Sequence, residues 1–346
     1  MTAWMPLPAN LHLPDRCHRL TLPAEARLDP AALPAEGDLL VVELQPEAAP
    51  APLQLASGRL TTLYPGDRVL ALTGRHFSSL GQRCAVARRG ESLHLLGRDG
   101  LVGAEARGGG LTAVRLLGRV CDGQGQPLRL PELAASTGRA PATVLGVVSA
   151  ARGARAGTTL MQLLRGLAQL GLDSAVARPL GLIDGGERWA LIEAGAREVV
   201  DAADVGCLDG EHDSGDCLRG RAQRQLAALA ASGAPIGLLR LAGGLGLPAL
   251  RRLLLEPGAA ALSQGLVVCA SDALCAVEAV RQLRAVGHPV LAVSGAITRS
   301  PLARREAEAE LDLPVLAASE LAAPSTLSIL LGDLPEWRSP PQRLAA

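Results

Sequence analysis

The chain has 346 residues and contains no lysine; its 34 arginines balance 34 acids, for a formal charge of zero. At about twice the length of a common domain, it should fold as two domains or one large one. The missing lysine excludes Schiff-base chemistry and a phosphate-binding lysine, and a neutral chain with three tryptophans, one tyrosine and one phenylalanine is a poor nucleic-acid binder.

Residues 1–140 read as strands and loops. Strands are expected over Asp38–Leu44 and over Arg68–Thr73, the second entered through a Pro65-Gly66-Asp67 turn. Shorter ones are expected over Cys84–Arg88, Ser92–Leu96 and Leu111–Leu117, with a loop at Gly108-Gly109-Gly110. Helical periodicity is scarce here, which predicts a small β-rich domain, a barrel or a sandwich. A Gly- and Pro-rich connection, Gly123–Pro141, carries one expected short helix over Pro131–Ser136.

From Ala142 the pattern alternates between apolar runs and helical stripes. Strands are expected over Thr143–Ser149, Ser174–Arg178, Glu198–Asp201, Ile236–Leu241, Leu266–Ala270, Pro289–Ser294 and Val315-Leu316. Helices are expected between them over Thr158–Leu170, Glu187–Ala194, Cys217–Ala231, Pro248–Leu255, Asp272–Val286 and Pro301–Glu310. Strands alternating with helices predict βαβ units: an α/β domain, 141–332, with a mostly parallel sheet and helices on both faces. Residues 333–346 read as a tail. No apolar run reaches the roughly 18 residues of a membrane span, the start lacks a basic and apolar leader, and seven cysteines, an odd number, argue against a disulfide framework. A cytoplasmic protein with reduced thiols and no membrane partner is expected.

The segment Val147–Leu172, VVSAARGARAGTTLMQLLRGLAQLGL, passes from a buried strand through a Gly/Ala/Arg loop and two threonines into an amphipathic helix. Ligands of parallel sheets collect at the carboxyl ends of strands, against helix N-termini. This segment resembles the first βα unit of P-loop NTPases, whose motif is G-x-x-x-x-G-K-[ST]. With Thr158 in the Ser/Thr place, the lysine position is Gly157 and the glycine positions are Ala156 and Ala151. Ser174–Leu180 (SAVARPL) and Val290–Leu316 (VLAVSGAITRSPLARREAEAELDLPVL) are similar to segments of the dethiobiotin-synthetase-like group of P-loop proteins and of the accessory protein of molybdopterin guanine dinucleotide synthesis. Those proteins carry Lys-Pro where this chain has Arg178-Pro179, and an acid where it has Asp272. The resemblance covers residues 142–320.

Two departures shape what the resemblance implies. Codon bias against lysine would place arginine at position 157, yet glycine stands there. Ile236–Leu241 runs into Ala242-Gly243-Gly244 with no Asp or Glu to hold Mg²⁺. Together they imply a degenerate P-loop that has lost ordinary ATP hydrolysis but binds a nucleotide or another small phosphorylated ligand, with little need of Mg²⁺. The binding residues so implied are Arg152, Gly153, Arg155, Gly157, Thr158, Thr159, Arg178 and Asp272. A catalytic version would be a ligase or group transferase acting on a small carboxylate or amine. Two other functions stay open: an inactive scaffold for a protein partner, and an acyl-CoA-dependent N-acyltransferase. The plain alternative for the loop is a Gly/Ala connection with Thr158 as helix cap. A homodimer is left open.

Other groups have competing readings. Gly243-Gly244-Leu245-Gly246-Leu247-Pro248 is a tight turn or a second phosphate-approach loop. Cys207, His212 and Cys217 stand in an acidic stretch that is either a solvated loop or a metal site of non-standard spacing. Asp272 and Ser300 suit helix caps, with Pro301 at the first helical position. Arg299 is placed to reach an anion. Cys269 lacks an evident partner, His288 reads as structural, and His76 as a loop histidine or a substrate contact.

Overall fold

The computed structural model describes residues 4–77, 82–88, 90–130, 140–208, 210 and 212–332. The short helix expected over Pro131–Ser136 and the tail 333–346 lie outside the described residues. The chain divides into two compact units. The first comprises Met1–Glu132, Gly181–Trp189 and Ala202–Asp209; the second comprises Leu133–Leu180, Ala190–Asp201 and Gly210–Ala346.

The first unit is built on a closed ring of strands: β1 (Leu39–Leu44), β2 (Arg68–Thr73), β3 (Leu93–Leu96), β4 (Leu101–Arg107) and β5 (Leu111–Cys121). β5 pairs with β1, β1 with β2, β2 with β4, β4 with β3, and β3 returns to β5. Of the two expected forms, this is the barrel. Alternate residues of every ring strand meet in one cluster, Leu40, Val42, Val69, Ala71, Leu93, Leu95, Val102, Ala104 and Val114 among them, as the period of two requires. β5 extends beyond the expected Leu117 through a register shift between Leu116 and Gly118. β4 was not expected: its sequence LVGAEAR is too rich in Gly and Ala to carry a strand signal. Gly103 is required there, since a Cβ would stand 2.4 Å from the Ala85 carbonyl oxygen.

The opposite face of the barrel strands, with Leu39, Val41, Leu70 and Leu72, is covered by Leu182, Ala202, Ala203, Cys207 and Leu208 from the two later segments of this unit. Polar groups fix those segments. Asp15 is 3% exposed; it accepts from Arg188 Nε at 2.8 Å and from Trp189 Nε1 at 3.0 Å. Arg16 donates to the Ile183 carbonyl at 2.8 Å, and Arg19 pairs with Asp204 at 2.9 Å.

The second unit is a six-stranded sheet in the order β8–β7–β9–β6–β10–β11. The strands are β6 (Thr143–Ser149), β7 (Ser174–Ala177), β8 (Ala196–Val200), β9 (Ile236–Leu241), β10 (Gly265–Cys269) and β11 (Val290–Ser294). Every pairing is parallel. β6 is buried along its whole length, the mark of a central strand covered on both faces. On one face lies α1 (Ala156–Gln169), burying Leu160, Leu163, Leu164 and Leu167 at helical spacing. α2 (Gly185–Glu193), between β7 and β8 in the chain, begins in the 181–189 segment of the first unit. Val144 and Val148 face the other way, in a cluster with apolar residues of α3 (Gly215–Ala231), α4 (Pro248–Leu255), α5 (Ala273–Ala285) and α6 (Pro301–Glu310).

The end of the unit departs from expectation. Val315 makes an isolated parallel bridge to Val293 and not a strand. Two helices follow, α7 (Ala318–Leu321) and α8 (Pro324–Gly332). Both pack on α1 where Gly166 leaves room, since a Cβ there would lie 2.5 Å from Leu327 Cδ1 and 2.7 Å from the Leu321 oxygen. Among the described residues no helix is long and apolar enough to cross a membrane.

Candidate functional site

Strand order locates the place where a ligand would collect. From β6 the chain passes through α1 to β7, toward one edge of the sheet. From its neighbour β10 it passes through α5 to β11, toward the other edge. Adjacent strands whose connections diverge leave a crevice at their carboxyl ends. The loop after β6, residues 150–155, opens there, together with the loop after β10.

The loop has an unusual backbone. Gly153 has φ 80° and Arg155 has φ 61°, so both lie in the left-handed region, with Ala154 between them. Arginine there costs on the order of 1–2 kcal/mol. Left-handed residues in a loop can turn backbone N–H groups toward a common concavity, a geometry that receives anions; here the Ala154 N–H between them donates to Ala151 O at 3.4 Å. Arg155 is the N-cap of α1 and makes no side-chain capping bond. The first-turn N–H groups of Ala156, Gly157 and Thr158 have no acceptor within the helix and point out of its positive end. Thr158, the cap in the plain alternative, is instead the third helical residue, since the helix starts at Ala156 with Arg155 as its left-handed N-cap.

Neighbouring strand-end loops hold this one by backbone hydrogen bonds. Ala150 N–H donates to Cys269 O at 2.8 Å, Leu245 N–H to Ala150 O at 3.0 Å, and Ala296 N–H to Ala154 O at 3.1 Å. Ile297 N–H donates to Ala270 O at 3.0 Å. The loops after β6, β9, β10 and β11 are thus stitched together. Glycines make the closeness feasible. Gly244 (φ 89°) would put a Cβ 3.1 Å from Ala151 Cα, and Gly295 (φ 97°) one 2.3 Å from Ala154 O. Gly243-Gly244 turns closely against the β6 loop, with Leu247 N–H donating to Gly244 O at 2.9 Å. In the sequence, Gly295 is marked only by a Ser-Gly pair at a strand end.

The side chains expected to bind fall into groups. Arg152, Gly153 and Arg155 are exposed, and Gly157 and Thr158 half-buried, all on this one loop and helix start. Arg155 forms no ion pair among the described residues. Thr159 is fully buried, with Oγ1 3.4 Å from Ser294 Oγ, and also bonds Cys269. Arg178, at the end of β7, is 9% exposed and donates from Nε to the Leu180 carbonyl at 2.9 Å. Asp272, at the end of β10, is exposed and caps α5, accepting from Cys275 N–H at 2.9 Å and Ser271 Oγ at 2.6 Å. Those bonds, the Ser271 one foremost, hold its carboxyl below the usual range.

The remaining candidates are placed as follows. Cys269 is fully buried, and burial pushes its thiol up to about 12, so it stays protonated. His288 is buried with Nε2 2.8 Å from the Leu254 carbonyl oxygen. His76 lies in a short strand paired with Cys84, not in a loop. Ser300 caps α6 through Ala303 N–H at 3.2 Å, with Pro301 first in the helix. Arg299 is exposed on the turn before it. Cys207 is buried and Cys217 exposed on α3, and among the described residues no three His, Cys, Asp or Glu side chains are grouped to hold a metal.

The arrangement can therefore hold an anion through N–H dipoles, a hydroxyl and guanidinium groups. The end of β9 supplies no acid, since Arg240-Leu241-Ala242-Gly243-Gly244 follows. No family model matches the chain, and neither does any curated protein.

Proposed function

We propose that the chain is a degenerate P-loop protein whose 150–158 loop binds the phosphate of a nucleotide or another small phosphorylated ligand without relying on Mg²⁺. One observation supports this: a left-handed Gly153/Arg155 loop, at the divergence point of a parallel sheet, held by hydrogen bonds to the end of β10 and to the loops after β9 and β11. A passive connection has no need of a strained arginine or of such bracing. Phosphate would lie on the N–H groups of Gly153 and of Arg155–Thr158, with Arg152 and Arg155 replacing the lysine charge; the Ala154 N–H is taken by Ala151 O. The missing lysine and missing acid at β9 leave metal-assisted γ-phosphate chemistry without its usual supports.

The test is calorimetric titration of ATP, GTP and acetyl-CoA, each with Mg²⁺ and with EDTA. The expected result is weak binding of at least one, equal within about twofold in the two conditions. Gly157→Lys should tighten the nucleotide by about tenfold, by adding a point charge at the phosphate. Tight Mg²⁺-dependent binding with turnover would contradict the proposal. Failure of all three ligands, with a protein co-purifying, would favour the scaffold; acetyl-CoA alone binding would favour acyl transfer.

A further inference from the structure

The β-rich unit contains a groove that the phosphate proposal does not use. It is about 650 Å³ and is lined by Ala48–Pro52, His94, Gly97, Arg98 and Gly110–Ala113. That volume lies within the range of small-molecule sites, and a mostly apolar lining with a few convergent polar groups is their common composition. His94 sits between Leu93 and Leu95, whose side chains fill the barrel, so its imidazole faces outward. Its cross-strand neighbour on β5 is Ala113, a small residue that leaves space beside the ring. His94 Nδ1 is buried and has no hydrogen-bond partner among the described residues. A buried polar atom left unpaired is costly, and a ligand can satisfy it.

Arg98 is exposed; its guanidinium reaches the surroundings of Gly186, on the side of Asp184, and its charge also acts on Asp99. Its backbone is held by Gln54 N–H donating to its carbonyl at 2.9 Å. Asp99, the adjacent acid, is part-buried, accepts from Gly185 N–H at 3.2 Å and does not line the groove. None of the lining residues is acidic. We propose that this groove is a second ligand site, for a small organic carboxylate with an apolar body. The carboxylate would take the Arg98 guanidinium, which matches its planar fork. The alanines, prolines and Leu111 would cover the apolar part, and His94 would bond a polar edge. One guanidinium and one imidazole, with strands and turns but no helix N-terminus, suit a single negative charge better than a phosphate.

The experiment is saturation-transfer NMR on the full chain with 4-methylpentanoate, 4-methylpentanamide and inorganic phosphate. The expected result is saturable binding of the carboxylate, with the amide weaker by about tenfold or more. Arg98→Gln should weaken the carboxylate by a similar factor while the thermal unfolding midpoint stays put. Ala113→Leu, which fills the groove, should abolish binding, and excess ATP should not displace the carboxylate. The proposal is overturned by no saturable binding, by equal binding of acid and amide, by an unaffected Arg98→Gln variant, or by phosphate outcompeting the carboxylate.

Discussion

At the scale of single residues, Arg155 is the position that separates a ligand loop from a connector. Its φ of 61° is unfavourable for any side chain and ordinary for glycine. Arg155→Gly should therefore stabilise the fold, or leave it unchanged, by up to about 1 kcal/mol in urea unfolding, while nucleotide affinity falls. A variant that loses stability and keeps its affinity would show that the arginine serves packing. This conformation was invisible in the sequence, because a left-handed non-glycine residue has no compositional signature. The loop as a whole was legible, since TVLGVVS followed by a Gly/Ala run and a leucine stripe dictates strand, loop and helix. Thr159 and Arg178 show the limit of reading by position: a motif fixes where a residue stands in the chain, and packing fixes which way it turns.

At the scale of elements, the apolar stripe of α1 was plain in the sequence, and so were β6, β9, α4 and α6, which fall where periodicity and capping residues place them. β4 was not, for want of branched side chains, and α7 and α8 were not, because the 318–321 segment is too short and the 324–332 segment, uncharged and opening on Pro-Ser-Thr, lacks an amphipathic pattern. What ties those helices to α1 is the absence of a side chain at Gly166. Gly166→Ala places a methyl 2.7 Å from the Leu321 carbonyl oxygen. The resulting strain, about 1–3 kcal/mol, exceeds the roughly 1 kcal/mol that alanine adds as a better helix former. Urea unfolding should thus show a net loss of stability; a gain would mean that α7 and α8 shift at no cost.

At the scale of the whole molecule, the chain passes between its two units repeatedly, which a boundary drawn once near residue 140 does not capture. The segments 181–189 and 202–209 join the first unit through side chains far away in sequence, such as Asp15 and Arg188, and such pairings leave no local pattern. Asp99, which receives the Gly185 N–H of one segment, reports on that assembly. Burial pushes its carboxyl up from 3.8 to about 6, with Arg16 opposing and Asp184 adding to the shift. Between about pH 4 and pH 6 the folded chain holds a proton that the unfolded chain has released, so stability from this position is highest in acid and declines as pH rises to 6. The stability difference between wild type and Asp99→Asn should change across that window and be flat above it in urea unfolding; a constant difference would contradict the assignment. Phosphate binding at the β6 loop is tested most directly by a crystal structure grown with ATP and EDTA. Phosphate density on the N–H groups of Gly153 and Arg155–Thr158, with Arg155 still left-handed, is the predicted result. An empty loop beside nucleotide bound elsewhere would contradict it.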